Sequence, residues 1–411
     1  MLAKLKVKVR CFPELPGVYL LKDENDRIIY VGKALSLRQR VRSYLAENES
    51  LSPRLRSLQM KLADIDYIVT DTEVEALIRE CNLIKEYRPR FNVNLKDDKD
   101  YPYLILTADQ YPRLELLRLS QKSGRRGQYR PYPDKKEHRF GPYTNVGAVR
   151  ETMRLLGSIF PIRRCRQLLD GTPAANRPCL NFQMKRCLAP CRGETEVTQF
   201  QYDNLVKQII LFLHGRYGEL ENKLKRLMEE SACEQHFEEA AILRNRLLAL
   251  QRVAGQQQKM LSAKDSIDRD ILALARQGRR SAVHLFQIRD GKLLKQDHFS
   301  LNGTDDVDDD EVIASFIKSY YNRAETLPIE ILLSVTPADV ELLSQWLTVK
   351  ASRKISLRVP HRGSLKKLVE LARRNCLLRL QEEEELSMRI IEEPLQELAR
   401  LLNLSSPPQR I

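Results

Sequence analysis

No stretch of the 411-residue chain approaches the roughly 18–20 consecutive apolar residues that span a bilayer, which sets aside a helical membrane protein. The N-terminus, Met1-Leu-Ala-Lys-Leu-Lys-Val-Lys8, interleaves charge and offers no apolar core for a secretory leader, so the expected location is cytoplasmic. No internal repeat is visible, and a repeat architecture is set aside with it. Helix breakers are scarce between residues 199 and 258, where Gly215 and Gly218 are the main exceptions, and that stretch reads as helical.

What the chain has in excess is positive charge. Lys and Arg total 69 against 55 Asp and Glu, a formal net charge of +14 with a pI near 9.4, which points to a polyanionic partner. The excess is local. Lys33 to Lys61 holds seven basic residues against two acids, Glu47 and Glu49, and Arg113 to Arg139 holds nine against three, with Tyr129 and Tyr132 among them. Acid gathers at Asp305–Glu311 and Glu382–Glu385, so the basic surface is expected on the first 140 residues. The apolar fraction of 42% and charged fraction of 30% describe a globular protein, and at about 100–200 residues per domain the length suggests two to four domains.

Strand alternation and turn residues predict a hairpin, Gly17-Val-Tyr-Leu-Leu21 and Ile28-Ile-Tyr-Val-Gly32 joined across Asp23-Glu-Asn-Asp26. Ser36 is placed to cap a helix with Leu37, Val41 and Leu45 on one face. Residues 65–70 read as a third strand, and Thr72-Glu-Val-Glu75 as a capping box opening a helix through Tyr87. Together these make a small α/β domain over 1–100. Residues 101–198 hold strand-like pieces, a basic loop at 124–139, a helix at 146–157 and a cysteine-rich segment, and 199–262 form a helical region. Over 263–405 the order is three strands (267–276, 281–289, 292–301), a helix (310–323), a strand (329–335), a helix (337–348), a strand (354–359) and a long helix from 363. That is an RNase H-like α/β topology, and 406–411 reads as a truncated linker.

Gly17-Val18-Tyr19 and Tyr30-Val31-Gly32 resemble the two halves of the GIY-YIG nuclease signature, and the rest of the set follows at that family's spacing. Lys33 comes directly after the second half. Arg40 and Tyr44, four apart, share a helix face; Glu80 lies in the next helix among Ala76, Leu77, Cys81 and Ile84; Asn92 follows twelve residues later, before Tyr101-Pro-Tyr103. An acid on the apolar side of its helix wants a cation. Phosphodiester hydrolysis needs a deprotonated water, stabilised charge on phosphorus oxygens and a neutralised leaving group. The resemblance implies Glu80 as ligand of a single Mg²⁺ or Mn²⁺, Tyr30 as the general base, and Arg40 as the fork on the scissile phosphate. It also implies that Tyr19, Tyr44 and Asn92 orient water, phosphate and backbone; the alternative for Tyr44 and Asn92 is a packing and a turn residue. A phenol, which ordinarily titrates near about 10, needs nearby positive charge to act as a base, and Lys33 and the metal are the candidates. Arg79 stands where that family carries an apolar residue.

The chain has eight cysteines, of which Cys165, Cys179, Cys187 and Cys191 lie within 27 residues in the spacing C-x13-C-x7-C-x3-C. In a reducing compartment this grouping reads as one four-thiolate metal site, iron–sulfur or zinc. Arg177-Pro-Cys-Leu-Asn-Phe-Gln-Met-Lys-Arg-Cys-Leu-Ala-Pro-Cys191 resembles the cysteine-rich segment of the bacterial excinuclease subunit family UvrC, for which a [4Fe–4S] cluster is implied. Residues 224–247 resemble the UVR motif of the same family, a helical hairpin spanning about 215–250, folded around a Phe237-centred bend with Ala240, Ala241 and Leu243 packing across and Arg244 beside them. Two helices bury little surface alone, which invites a partner helix pair, and the resemblance implies that these residues dock the matching hairpin of UvrB. Asn245 stands where the family often has Asp.

The order of nuclease, cysteine segment, hairpin and α/β domain resembles that family along the whole chain. The resemblance implies nucleotide-excision repair, with a cut on the 3′ side of a lesion in a complex with UvrB and damaged duplex DNA. The family's active RNase H-like nuclease and helix-hairpin-helix module are expected to be missing. Residues 263–405 are expected to be an inactive scaffold, since Asp268 and Asp270 stand by the first strand but Ile329–Val335 ends without an Asp and Asp339 comes late. The alternatives are a short single-nuclease excinuclease homologue and a non-catalytic adaptor that binds DNA and UvrB.

Overall fold

The computed structural model describes residues 2–45, 52–96, 101–118, 137–143, 146–167, 169, 179–192, 197–256 and 267–401. Most of the basic loop expected at 124–139, with Tyr129 and Tyr132, and the linker at 406–411 lie outside them.

The chain opens on a helix that sequence patterning missed, α1 (Leu2–Arg10), which buries Leu5 and Val9. Strands β1 (Gly17–Lys22) and β2 (Ile28–Ala34) form the expected hairpin, its turn shaped by the Asp23 carboxylate accepting from the backbone N–H groups of Asn25 and Arg27. Helix α2 (Leu37–Tyr44) buries Leu37 and Val41 with Leu45 just after, but Ser36 supplies only the backbone geometry of a cap and its hydroxyl makes no capping bond. A second unpredicted helix, α3 (Pro53–Lys61), leads to β3 (Asp64–Val69), which pairs with β1 to complete the sheet β2-β1-β3. Helix α4 (Glu73–Tyr87) is capped by Thr72 accepting from Glu75 N–H. The return bond of the expected box lands one residue early, on Asp71 N–H.

The chain then leaves this sheet. Strand β4 (Asn94–Leu95) joins a different one, at the edge of the C-terminal sheet. Strands β5 (Pro102–Leu106), β6 (Leu114–Arg118) and β7 (His138–Phe140) make a second sheet, ordered β6-β5-β7. Helices α5 (Val146–Ile159), α6 (Leu180–Gln183), α7 (Gln199–Leu213), α8 (Tyr217–Cys233) and α9 (Phe237–Gln256) follow, and a core including Leu104, Phe160, Tyr202, Ile209, Leu220 and Leu250 joins sheet to helices. Arg113 and Arg163 are both buried and both donate to Asp109, at 2.5 and 2.6 Å, so a charged group that would be ruinous alone is paired inside the core.

The third sheet is ordered β12-β11-β8-β9-β10-β4. Strands β8 (Arg269–Gln277), β9 (Arg280–Arg289) and β10 (Lys292–Asn302) form an antiparallel meander, helix α10 (Asp309–Tyr321) crosses over, and β11 (Glu330–Leu333) lies parallel to β8. Helix α11 (Val340–Ala351), strand β12 (Ser356–Arg358), parallel to β11, and the long α12 (Gly363–Leu401) complete it. The meander-then-crossover order is the one expected from the sequence.

The expected border near residue 100 is not a break in packing. β4 pairs antiparallel with the end of β10, Leu95 opposite Leu301 and Asn94 opposite Asn302. Leu77, Cys81, Val93 and Leu95 of the first unit share one buried cluster with Phe299, Phe316 and Ile317 of the last. Gly303, at φ +72°, permits this approach, because a Cβ there would stand 2.9 Å from the Asn92 carbonyl oxygen. The N-terminal unit and the C-terminal sheet are therefore welded along the face where the site lies.

Candidate active site

Three tyrosines converge at one end of the first sheet. The rings of Tyr19 on β1, Tyr30 on β2 and Tyr44 on α2 have centroids 5.6–6.1 Å apart, and Tyr19 Oη donates to Tyr44 Oη at 3.0 Å. Gly32 makes room for this, since a Cβ there would lie 2.4 Å from Tyr19 Oη. The Arg40 guanidinium stands over the Tyr44 ring at 5.7 Å, four residues earlier on α2 as the spacing predicts. Asn92 is buried and bonds both backbone groups of Val31, its Oδ1 accepting from Val31 N–H at 2.9 Å and its Nδ2 donating to Val31 O at 2.7 Å. It therefore fixes the strand that carries Tyr30 and also lines the cavity.

Glu80, only 5% exposed, projects from α4 toward the same cavity, of about 890 Å³. Its Oε1 accepts from Lys33 N–H at 3.1 Å and its Oε2 from Lys318 Nζ at 2.7 Å. Lys318 comes from α10 of the C-terminal sheet domain, and no local signal in the sequence could have placed it here. Burial is the largest single influence and pushes its ammonium down, but the charge and hydrogen bond of Glu80, with the charges of Cys81 and Asp339, together outweigh it and its pKa is raised. The Lys33 ammonium, expected to assist Tyr30, is turned instead to Glu73 at 2.9 Å and to Asp339 at 2.8 Å. Burial chiefly, with the charges of Tyr44, Glu80 and Glu311, holds the Tyr30 phenol well above its ordinary range. The cavity is thus closed on its far side by Glu311, Lys318 and Asp339, all from the last domain. Asp339, too late in sequence to serve β11, serves this site.

In the cysteine segment Cys165 and Cys179 are exposed and Cys191 is half-buried. Cys187 is buried, and its thiol is pushed up to about 11 first by that burial and further by the charges of Cys165, Cys179 and Cys191. Cys187 Sγ also accepts from Ala189 N–H at 3.3 Å. Among the described residues no three His, Cys, Asp or Glu side chains are set as a metal site. The hairpin of α8 and α9 turns at Gln235, φ +62°, with Phe237 the first residue of α9. Phe237 is 68% exposed; Ala240, Ala241 and Leu243 are partly buried and Arg244 is exposed. In the last domain, Asp270 is fully buried and committed to Arg289 at 2.8 Å and to the Tyr321 hydroxyl at 2.7 Å. No described helix is long and apolar enough to cross a membrane.

Comparison with known proteins matches four family models in chain order. They are the UvrC-like GIY-YIG domain over 15–93, the UvrC/Cho excinuclease middle domain over 101–212, the UvrB/uvrC motif over 219–253, and the UvrC ribonuclease H-like domain over 268–383. The last match falls on the unit read as RNase H-like over 263–405, and it corrects the expectation that the family's own RNase H-like nuclease domain is missing from this chain. The chain is 40% identical over 412 residues to the UvrABC system protein C of Alkaliphilus oremlandii and 42% identical over 414 to that of Moorella thermoacetica. Each alignment covers 99% of this chain and 64% of the relative, so the chain spans less than two thirds of their length. Among solved structures, the magnesium-bound GIY-YIG N-terminal endonuclease domain of UvrC from Thermotoga maritima is 39% identical, covering 22% of this chain and 96% of that one, with a TM-score of 0.20. The architecture is therefore a GIY-YIG α/β domain, a cysteine-bearing middle segment, a UVR helical hairpin and an RNase H-like domain.

Proposed function

We propose that this chain is the incising part of a nucleotide-excision-repair endonuclease, cutting one strand on the 3′ side of a lesion in damaged duplex DNA to which UvrB has been loaded. The observation that carries the reading is the convergence of Tyr19, Tyr30, Tyr44, Arg40 and Glu80 on one cavity, from four separate elements. Glu80 fits a Mg²⁺ or Mn²⁺ ion, because it is a buried carboxylate that already holds a cation, the Lys318 ammonium. Such an ion, when bound, polarises the phosphate and offsets charge on the leaving oxygen. Arg40 reaches the non-bridging phosphate oxygens by its fork, and Tyr44, oriented by Tyr19, positions the backbone. Tyr30 takes the water proton once positive charge near it lowers a phenol that burial holds high. The direct test uses a duplex with one defined lesion and an end label. With UvrB and Mg²⁺ the chain yields a single product cut on the 3′ side; a cut on the 5′ side, or none, removes the reading.

The four clustered cysteines are proposed to bind one metal centre, a [4Fe–4S] cluster before zinc, because four thiols lie within 27 residues in a segment that resembles the UvrC cysteine-rich segment. Protein purified without oxygen should be brown and lose its charge-transfer absorbance on Cys187→Ser. A colourless preparation with stoichiometric zinc converts the claim to zinc, and metal-free protein that folds normally ends it.

UvrB is proposed to dock on the α8–α9 hairpin. Phe237 at 68%, Ile242 at 41% and Leu248 at 46% exposure leave apolar surface there that the hairpin itself does not cover. Phe237→Ala should weaken UvrB association by about tenfold or more, as loss of an aromatic anchor does, while nicking at saturating UvrB is unchanged. Unaltered affinity in a titration would make the hairpin a spacer.

A further inference from the structure

Because the cation reading of Glu80 rests on the proposal above, what that site holds in the protein alone matters. Its Oε1 is occupied by a backbone N–H and its Oε2 by the Lys318 ammonium at 2.7 Å, with the two side chains 7% and 17% exposed. A divalent ion bonding Oε2 at about 2.0–2.1 Å would stand within a few ångströms of that ammonium, with no second carboxylate of the set between them. Two cations cannot share one carboxylate oxygen in a buried site without strong mutual repulsion.

We propose that Lys318 is a built-in competitor for the divalent cation at Glu80: the ammonium neutralises the carboxylate in the resting protein and has to swing aside before a metal ion binds.

The fold shows which part can move. The backbone of α10 is fixed, since Phe316, Ile317, Tyr320 and Tyr321 on either side of Lys318 are all buried in the domain core. The lysine stem is a flexible chain of four methylenes and opens on the shared cavity. Asp339 and Glu311 line that cavity and are ready acceptors for a displaced ammonium. Asp339 is 55% exposed and at present takes the Lys33 ammonium, so it can turn to a second partner without leaving a buried charge bare. Cation affinity of the GIY-YIG domain is then set by a side chain 238 residues away, in the RNase H-like domain. Neither domain alone would show it.

The test is Mn²⁺ binding to the full chain without DNA, read by the loss of the free-ion paramagnetic resonance signal. Lys318→Met should bind Mn²⁺ about tenfold tighter or more than the wild type, and the charge-retaining Lys318→Arg should not. Lys318→Gln, neutral but still able to donate to Oε2, should behave as Lys318→Met does and guards against a variant that folds poorly. Glu80→Gln should abolish the difference between backgrounds. Mn²⁺ should also raise the unfolding temperature of Lys318→Gln more than that of the wild type. Equal affinity in wild type, Lys318→Met and Lys318→Gln, with Glu80→Gln still removing one site, overturns the competitor while sparing the Glu80 reading. If Glu80→Gln removes no Mn²⁺ site at all, the cation reading of Glu80 fails and the competitor with it.

Discussion

Glu80→Gln and Arg40→Ala should each lower lesion-dependent nicking by about 10²–10³-fold or more, the usual loss when a group that stabilises transition-state charge is removed from a water-poor site. The two variants should differ in stability. Arg40 is exposed, and its truncation leaves the buried Tyr19 hydroxyl still bonded to Tyr44, so the unfolding temperature should hardly change. Glu80 is the counter-charge of Lys318, and truncation to alanine removes it together with the acceptor for Lys33 N–H, so the unfolding temperature should fall even where the ammonium turns to Asp339 or Glu311. Glutamine keeps the shape and one acceptor for Lys33 N–H but not the charge on which Lys318 sits, so it should cost less stability than alanine without being neutral. Paired measurements of nicking in Mg²⁺ and of thermal unfolding separate the two. A Glu80→Gln protein that nicks at the wild-type rate would take Glu80 out of the chemistry, whatever its stability.

How much of this was legible beforehand depended on distance along the chain. The hairpin carrying Tyr19 and Tyr30 and the α2 face carrying Arg40 and Tyr44 are local patterns, and they stand where period and spacing put them. So does the meander and crossover of the last domain, because β8 and β9 are nearly continuous buried runs and the second half of β10 alternates buried and half-buried residues. Helices α1 and α3 escaped because they are only nine residues each and dense in Lys and Arg, and in α1 the alternation Lys4-Leu-Lys-Val-Lys-Val9 masks the helical spacing of Leu5 and Val9. What could not be read is the contact between domains. Lys318, Asp339 and Glu311 enter the cavity only because β4 adds to the edge of β10 and brings α10 across the face of α4. The two-residue β4 carries no strand signal of its own, and Gly303, which lets Asn92 approach, reads in sequence as an ordinary turn glycine. Lys33 illustrates the same limit: its position after the signature is local, but its partner Asp339 is not.

Asp270→Ala should destabilise the RNase H-like domain by about 3–5 kcal/mol, a loss of the size expected when one member of a buried ion pair is left without the other. In sequence Asp270 looks like a candidate metal carboxylate on the first strand of an RNase H-like fold. In the structure both of its oxygens are spoken for: Oδ1 accepts from Arg289 Nη1 at 2.8 Å and Oδ2 from the Tyr321 hydroxyl at 2.7 Å, with no exposed surface. Arg289 also donates to the Arg269 and Ile288 carbonyls, so the pair ties β8 to β9 at the edge of the core and Tyr321 ties α10 to both. Helix α10 carries Lys318, and loosening its end should be felt at Glu80 as well. The check is a double-mutant cycle with Arg289→Met. If the charges serve each other, Asp270→Ala should cost much less in the Arg289→Met background, with a coupling of about 1–3 kcal/mol. Additive losses would mean that the carboxylate acts through Tyr321 alone. An Asp270→Ala chain that unfolds at the wild-type temperature, yet loses a metal-dependent cut that survives Glu80→Gln, would show that Asp270 is a ligand after all.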